Sequence, residues 1–117
     1  MKVLFILNEP PYGSDKTYNA LRLAMVFQKD QPDTEVRLFL MTDAVTAAIS
    51  AQATPQGYYN VERMLKSVLA KGGHVKLCST CCEARGIKDV SLVEGVEVST
   101  MSQLGQWTIE SDKVLVF

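Results

Sequence analysis

Two nearly uninterrupted apolar runs, Val3–Leu7 near the start and Val114–Phe117 at the end, enclose segments whose apolar residues recur at helical spacing. An apolar run without alternation marks a strand covered on both faces, and such strands belong to parallel sheets sandwiched between helices. Two further runs, Val36–Met41 and Val75–Cys78, are interrupted by Arg37 and Lys76 and are expected nearer a sheet edge. Val96-Glu97-Val98 is too short to assign from its residues alone. Strands alternating with helices imply an α/β domain with a parallel sheet, helices on both faces and right-handed crossovers.

The helical segments carry their own punctuation. Ser14 can cap a helix running to Lys29, with Leu21, Ala24, Met25 and Gln28 on one stripe and Leu23, Val26 and Phe27 on a second. Pro32 ends it, because the residue before a proline is driven out of helical geometry. Thr42 and Asp43 offer a cap for a short helix through Ile49, and 51–60, with Pro55 and Gly57, reads as a loop. Val61, Met64, Leu65, Val68 and Leu69 form one face of a helix that Gly72 and Gly73 stop. A last helix over Met101–Ile109 is expected to turn Leu104 and Ile109 inward, with Trp107 at an edge.

Composition narrows the class. With 117 residues, 47% hydrophobic and 21% charged, residues 1–117 read as one compact domain that needs no disulfide or structural metal merely to fold. Lys and Arg number 12 against 13 Asp and Glu, with no run of like charge, so neither nucleic acid nor an anionic membrane is an expected partner. No apolar stretch approaches the ~18 residues of a membrane span. The first run breaks at once into Asn8-Glu9-Pro10-Pro11, too early for a signal sequence. A cytoplasmic setting is therefore expected, and the odd cluster of three cysteines, Cys78, Cys81 and Cys82, agrees with a reducing compartment. Tyr58, Tyr59, the methionines and the apolar end at Leu115–Phe117 leave apolar surface that suggests self-association.

In open α/β sheets reactive groups collect beyond the carboxyl ends of the strands. The residues found there are Asn8–Ser14, Thr42 with Asp43, and Cys78–Cys82. Cys78 sits where a strand hands over to a helix, and backbone N–H groups together with a nearby cation lower a thiol pKa; Arg85 is the candidate cation, and Glu83 would oppose it. Read conservatively, the cysteines are small buried hydrophobes, a reading that suits Cys82 best. A shared zinc site fits poorly, since an extended 74–78 segment holds His74 ~13 Å from Cys78. Cys78-Ser79-Thr80-Cys81 has thioredoxin-like spacing, but no proline follows Pro55 to supply the cis-proline of such sites. A Cys78–Cys81 disulfide would serve as an off-state or a resolving step. Asn8–Ser14 lacks a nucleotide-binding glycine pattern, so Gly13 and Ser14 read first as turn and cap; Asp43 reads first as a cap rather than a base. No cofactor or metal is expected.

The stretches Pro11–Ser14, Leu21–Ala24, Arg37–Met41 with Asp43–Ala47, Val75–Cys78 with Cys81 and Arg85-Gly86-Ile87, and Gln106–Thr108 through Asp112–Leu115 together resemble the DsrE/DsrF/TusD-like sulfur-relay superfamily, and within it the YchN-like branch. The resemblance runs nearly end to end. It implies a three-layer α/β/α fold with a mainly parallel five-stranded sheet in the order 4-3-2-1-5, and hexamers built from trimers. It also implies a sulfur-carrying cysteine at the end of the third strand with Arg-Gly shortly after, matched here by Cys78, Arg85 and Gly86, while Cys81 matches a second cysteine and Cys82 is an extra thiol. The leading expectation is an intracellular sulfur-transfer protein that carries sulfane sulfur as a persulfide on Cys78, with Cys81 beside it and Arg85, Asn8 and Asp43 in support. Donor and acceptor proteins would be its partners. The rival is a non-catalytic oligomeric binding protein whose rim pocket takes a small anion or a partner.

Overall fold

The computed structural model describes residues 1–55 and 59–117; the aromatic at Tyr58 lies outside the described residues. Along the chain come β1 (Lys2–Leu7), α1 (Lys16–Asp30), β2 (Glu35–Leu40), a 3₁₀ segment (Thr42–Ala48), α2 (Val61–Ala70), β3 (His74–Cys78), α3 (Ser79–Ala84), β4 (Glu97–Ser99), α4 (Met101–Glu110) and β5 (Lys113–Val116). The five strands form one parallel sheet in the order β4-β3-β2-β1-β5, the order expected from the resemblance. The steps from β1 to β2 and from β2 to β3 run one way, so right-handed crossovers put α1 and α2 on one face. The crossover from β4 to β5 runs back across the whole sheet and puts α4 on the other. Phe5 meets Phe27 of α1 with ring centroids 6.0 Å apart. On the opposite face Phe39 meets Trp107 of α4 edge-on at 6.4 Å.

Three expectations are corrected. First, β2 lies between β1 and β3, and β3 between β2 and β4, so neither is at an edge. Arg37 and Lys76 are there because both point to the α4 face, where their cations lie 5.3 and 4.5 Å from the Trp107 ring centroid. Arg37 is buried and bonded to Glu35 at 3.2 Å and Glu110 at 2.9 Å, so its charge is matched. Second, the continuous apolar run at the chain's end is an edge strand, β5, with Val114 and Val116 exposed. Apolar content alone does not say whether a face is covered. Third, Trp107 is buried alongside Leu104, whereas Ile109 is 89% exposed. Leu104 and Trp107, three residues apart, share a helix face, while Ile109 falls on another.

Helix positions are close to expectation but some caps are not: Met41 precedes the 3₁₀ segment, and the Thr42 and Asp43 side chains, expected to cap it, bond the Asn8 carbonyl and Arg85 instead. Helix α1 begins at Lys16, with Asp15 rather than Ser14 in the capping position; the Ser14 hydroxyl instead accepts the Lys16 N–H at 3.2 Å. Asn60 caps α2 by accepting the Arg63 N–H at 3.0 Å. Gly72 takes φ +86° just past α2. Gly73 must lack a side chain, because a Cβ there would stand 2.5 Å from the Val68 Cγ1 atom and 2.8 Å from its carbonyl oxygen. That close approach turns the chain directly from α2 into β3, which ends at Cys78.

Candidate functional site

Because every strand is parallel, the carboxyl ends of β1, β2 and β3 open on one rim, and this rim holds the cysteines. The gap between β1 and β5, where the strand order reverses, is closed by Asn8. Its backbone N–H donates to the Phe117 carbonyl at 2.9 Å and its side-chain amide donates to the same oxygen at 3.3 Å. The next residue group along the rim is Thr42, whose hydroxyl donates to the Asn8 carbonyl. The Thr42 backbone N–H donates to the Cys81 sulfur at 3.2 Å. Thr42 has φ +51°, a left-handed geometry that a β-branched residue adopts only under constraint from its surroundings. Thus β1, β2 and α3 are tied through one strained residue to one sulfur.

Cys78 ends β3 and stands at the start of α3. It is only 4% exposed and belongs to the core, so the burial that the sequence suggested best for Cys82 holds for Cys78 as well. Cys81 is half-buried and Cys82 is buried; all three are free thiols. Burial pushes the Cys78 thiol up, but hydrogen bonds from the Cys81 thiol, the Thr80 hydroxyl at 3.2 Å, and the backbone N–H groups of Cys81 and Thr80 outweigh it and hold its pKa below the usual 9.0. For Cys81, burial and the bond to Cys78 push the pKa up, against the Thr42 N–H and the charge of Arg85. The Cys82 pKa is raised by burial and then by the other two sulfurs. The neighbouring sulfurs are therefore unlike: Cys78 is the one whose anion the site favours, and Cys81 is its hydrogen-bond donor.

Arg85 is placed differently from expectation. Its guanidinium donates to Asp43 Oδ1 at 2.8 Å and to the Cys81 carbonyl at 3.2 Å, so its charge bears on Cys81 and Cys82 rather than standing against Cys78. Asp43 lies in the 3₁₀ segment and serves as that arginine's anchor. Glu83 acts on Cys82 by raising its pKa. His74 is at the other end of β3, 3.5 Å from Glu35. Sequence reading put Thr80 and Thr42 on the rim but gave neither a role toward the sulfurs, which the Thr80 hydroxyl and the Thr42 backbone N–H have. Threonine two residues after a strand-ending cysteine is a signal for the first; the second has none, since it depends on how two distant loops meet.

The DsrE/DsrF-like family model matches residues 1–117, and the chain belongs to this family, which is associated with sulfur relay. Protein YchN of Escherichia coli strain K12 is 44% identical over 116 residues, covering 99% of this chain and 98% of that protein. Its crystal structure matches with a TM-score of 0.95, covering 100% of this chain and 99% of the other. MJ0989 of Methanocaldococcus jannaschii, an uncharacterized protein, is 38% identical over the full length of both chains. The structure of MTH1491 from Methanobacterium thermoautotrophicum, a protein of unknown function, shares the fold at TM-score 0.80 with 15% identity, covering 99% of this chain and 98% of that one.

Proposed function

We propose that this protein is an intracellular sulfur-transfer protein that carries sulfane sulfur as a persulfide on Cys78. The observation that carries the reading is the rim thiol whose anion is favoured by three neutral donors, Cys81, Thr80 and the start of α3, in a chain of the DsrE/DsrF-like family. The chemistry needs no cofactor and no general base. The Cys78 thiolate attacks the outer sulfur of a donor persulfide, R–S–SH; the Cys78 S–S bond forms, the donor S–S bond breaks, and the donor leaves as R–S⁻. An acceptor thiolate then attacks the same outer sulfur and releases the Cys78 thiolate again. Cys81 keeps its proton at neutral pH, because its own pKa is raised, and so remains a donor to whichever sulfur Cys78 presents. Deep placement of Cys78 shields the carried sulfur from solvent between transfers, with half-buried Cys81 and exposed Thr80 at the approach.

The protein is further proposed to act in the cytoplasm as a homo-oligomer, a hexamer built from trimers as in the branch it resembles. Exposed apolar side chains on α4 and the edge strands, among them Ile109, Val116, Met101 and Val98, supply surface for it. Light scattering at micromolar concentration should give a mass several times 12.9 kDa, and a monomer would reject that part. The test of sulfur carriage is mass spectrometry after exposure to polysulfide. One adduct of about 32 Da should appear on the peptide containing Cys78 and vanish in both Cys78→Ser and Cys78→Ala. An adduct that survives both but is lost in Cys81→Ser moves the site to Cys81. If no cysteine gains sulfur under conditions that load a known carrier, the oligomeric binding protein becomes the better reading.

A further inference from the structure

A cleft of about 490 Å³ runs between α1 and α2 on the outer face of the molecule, away from the cysteines. The two helices lie side by side in the same direction. Tyr18 and Tyr59 meet at one end with ring centroids 4.2 Å apart, and Gln28 Nε2 donates to the Val68 carbonyl at 2.9 Å near the other. Each helix contributes an arginine, a methionine and a lysine to the walls, from α1 along one stripe and from α2 with Met64 and Lys71 on one stripe and Arg63 beside it. An arginine stands near the tyrosines, Arg22 from α1 and Arg63 from α2; methionines follow, Met25 and Met64; a lysine closes the far end, Lys29 and Lys71. No acidic side chain lines the cleft, and none of these four cations has a carboxylate within 4 Å among the described residues, whereas Lys16, Arg37, Lys66 and Arg85 each have one.

The helices themselves do not require this arrangement. Lysines at helix carboxyl ends offset the helix dipole, but Arg63 stands in the first turn of α2, where a cation opposes it. Arg22 is already oriented, with one guanidinium nitrogen bonded to Asn19 Oδ1 at 3.1 Å and its centre 5.7 Å from the Tyr18 ring centroid. An oriented guanidinium is suited to grip a carboxylate or phosphate through two parallel hydrogen bonds. The arginine and lysine pairs are separated by about 10 Å along α1 and about 12 Å along α2, at ~1.5 Å of rise per residue. The volume lies within the ~300–1,000 Å³ typical of small-molecule sites. Cations gathered at two ends, with thioethers between them, suit a short molecule rather than a nucleic acid, whose charges repeat continuously.

We propose that this cleft binds an organic dianion: an apolar body lying on Met25 and Met64, with one anionic group held by Arg22 and Arg63 and the other by Lys29 and Lys71. The test uses the full chain and the fluorescent anion 1-anilinonaphthalene-8-sulfonate as a reporter, displaced either by sebacate, a ten-carbon dicarboxylate, or by decanoate, its single-carboxylate counterpart. Decanoate is the more apolar of the two, so it wins at any merely greasy surface. Sebacate is expected to displace the reporter at a concentration at least tenfold lower than decanoate. In Arg22→Gln/Arg63→Gln and in Lys29→Gln/Lys71→Gln that advantage should fall to within about twofold, with thermal melting unchanged; Lys88→Gln should preserve it. Equal potency of the two acids, an unchanged advantage in both double variants, or reporter binding that appears only when the protein is diluted to monomers, which would make the cleft an interface between copies, overturns the proposal.

Discussion

The α4 face of the sheet and the cysteine rim both hold polar groups among apolar ones, but they stabilise them by opposite means. On the α4 face, buried Arg37 is matched by full charges, Glu35 and Glu110, and sandwiched by Trp107 with Lys76 nearby. At the rim, Cys78 is surrounded by neutral donors while the available cation, Arg85, is bound to Asp43. Matched full charges hold the Arg37 guanidinium in one place. Neutral donors around a thiol leave its proton exchangeable and its sulfur nucleophilic, as the proposed transfer chemistry requires.

The contrast is broken most severely by Trp107→Ala, which removes the ring over both cations and opens a cavity; a loss of about 3 kcal/mol in denaturant unfolding is expected. The alkylation rate of Cys78 in the folded fraction should not change. Thr42→Val keeps shape and the N–H to Cys81 but leaves the Asn8 carbonyl without its donor, at a cost of about 1–2 kcal/mol. In Cys81→Ala the Cys78 thiol loses its foremost donor, so its pKa should rise and its alkylation at pH 7 should slow severalfold, with the pH–rate curve shifted to alkaline. A curve that moves the other way would show that burial, not Cys81, dominates.

The two regions should also titrate independently of one another. Hydrogen bonds from Gln106 and Arg37 hold the Glu110 carboxyl below its usual 4.5, so its contribution to stability is present above that pH and is lost as pH falls through the lowered value. Arg37→Met should flatten that acid limb in melting experiments and leave the thiol titration in place. The smallest effect belongs to Arg85→Gln. An ion pair this exposed contributes no more than about 1 kcal/mol, but Cys81, losing a stabilising charge, should alkylate more slowly while Cys78 changes little.

Much of this was legible in the chain. Val3–Leu7 announced a strand covered on both faces, the alternation of elements announced a parallel sheet, and a parallel sheet put Cys78 on the rim. What misled was polarity within strands. Arg37 and Lys76 suggested edges because a sequence shows that a face is polar without showing what covers it, and an aromatic ring on α4, some seventy and thirty residues on, covers both. The run at Val114–Phe117 misled in the opposite sense, since it looks like β1 but has a neighbour on one side only.

The sequence by itself determined the order of elements, their periodicity and the position of a cysteine at a strand end, all of which depend on residues close together in the chain. The tertiary structure decided which sulfur bears the favoured anion. Thr42 and Asp43 at the start of the 3₁₀ segment and Asn8 just past β1 must come together before Cys81 is oriented toward Cys78 and Arg85 is drawn to its side. Hydrogen bonds act over about 3 Å and only along favourable directions, so their effect on a thiol is set by the folded positions of groups that the chain keeps far apart.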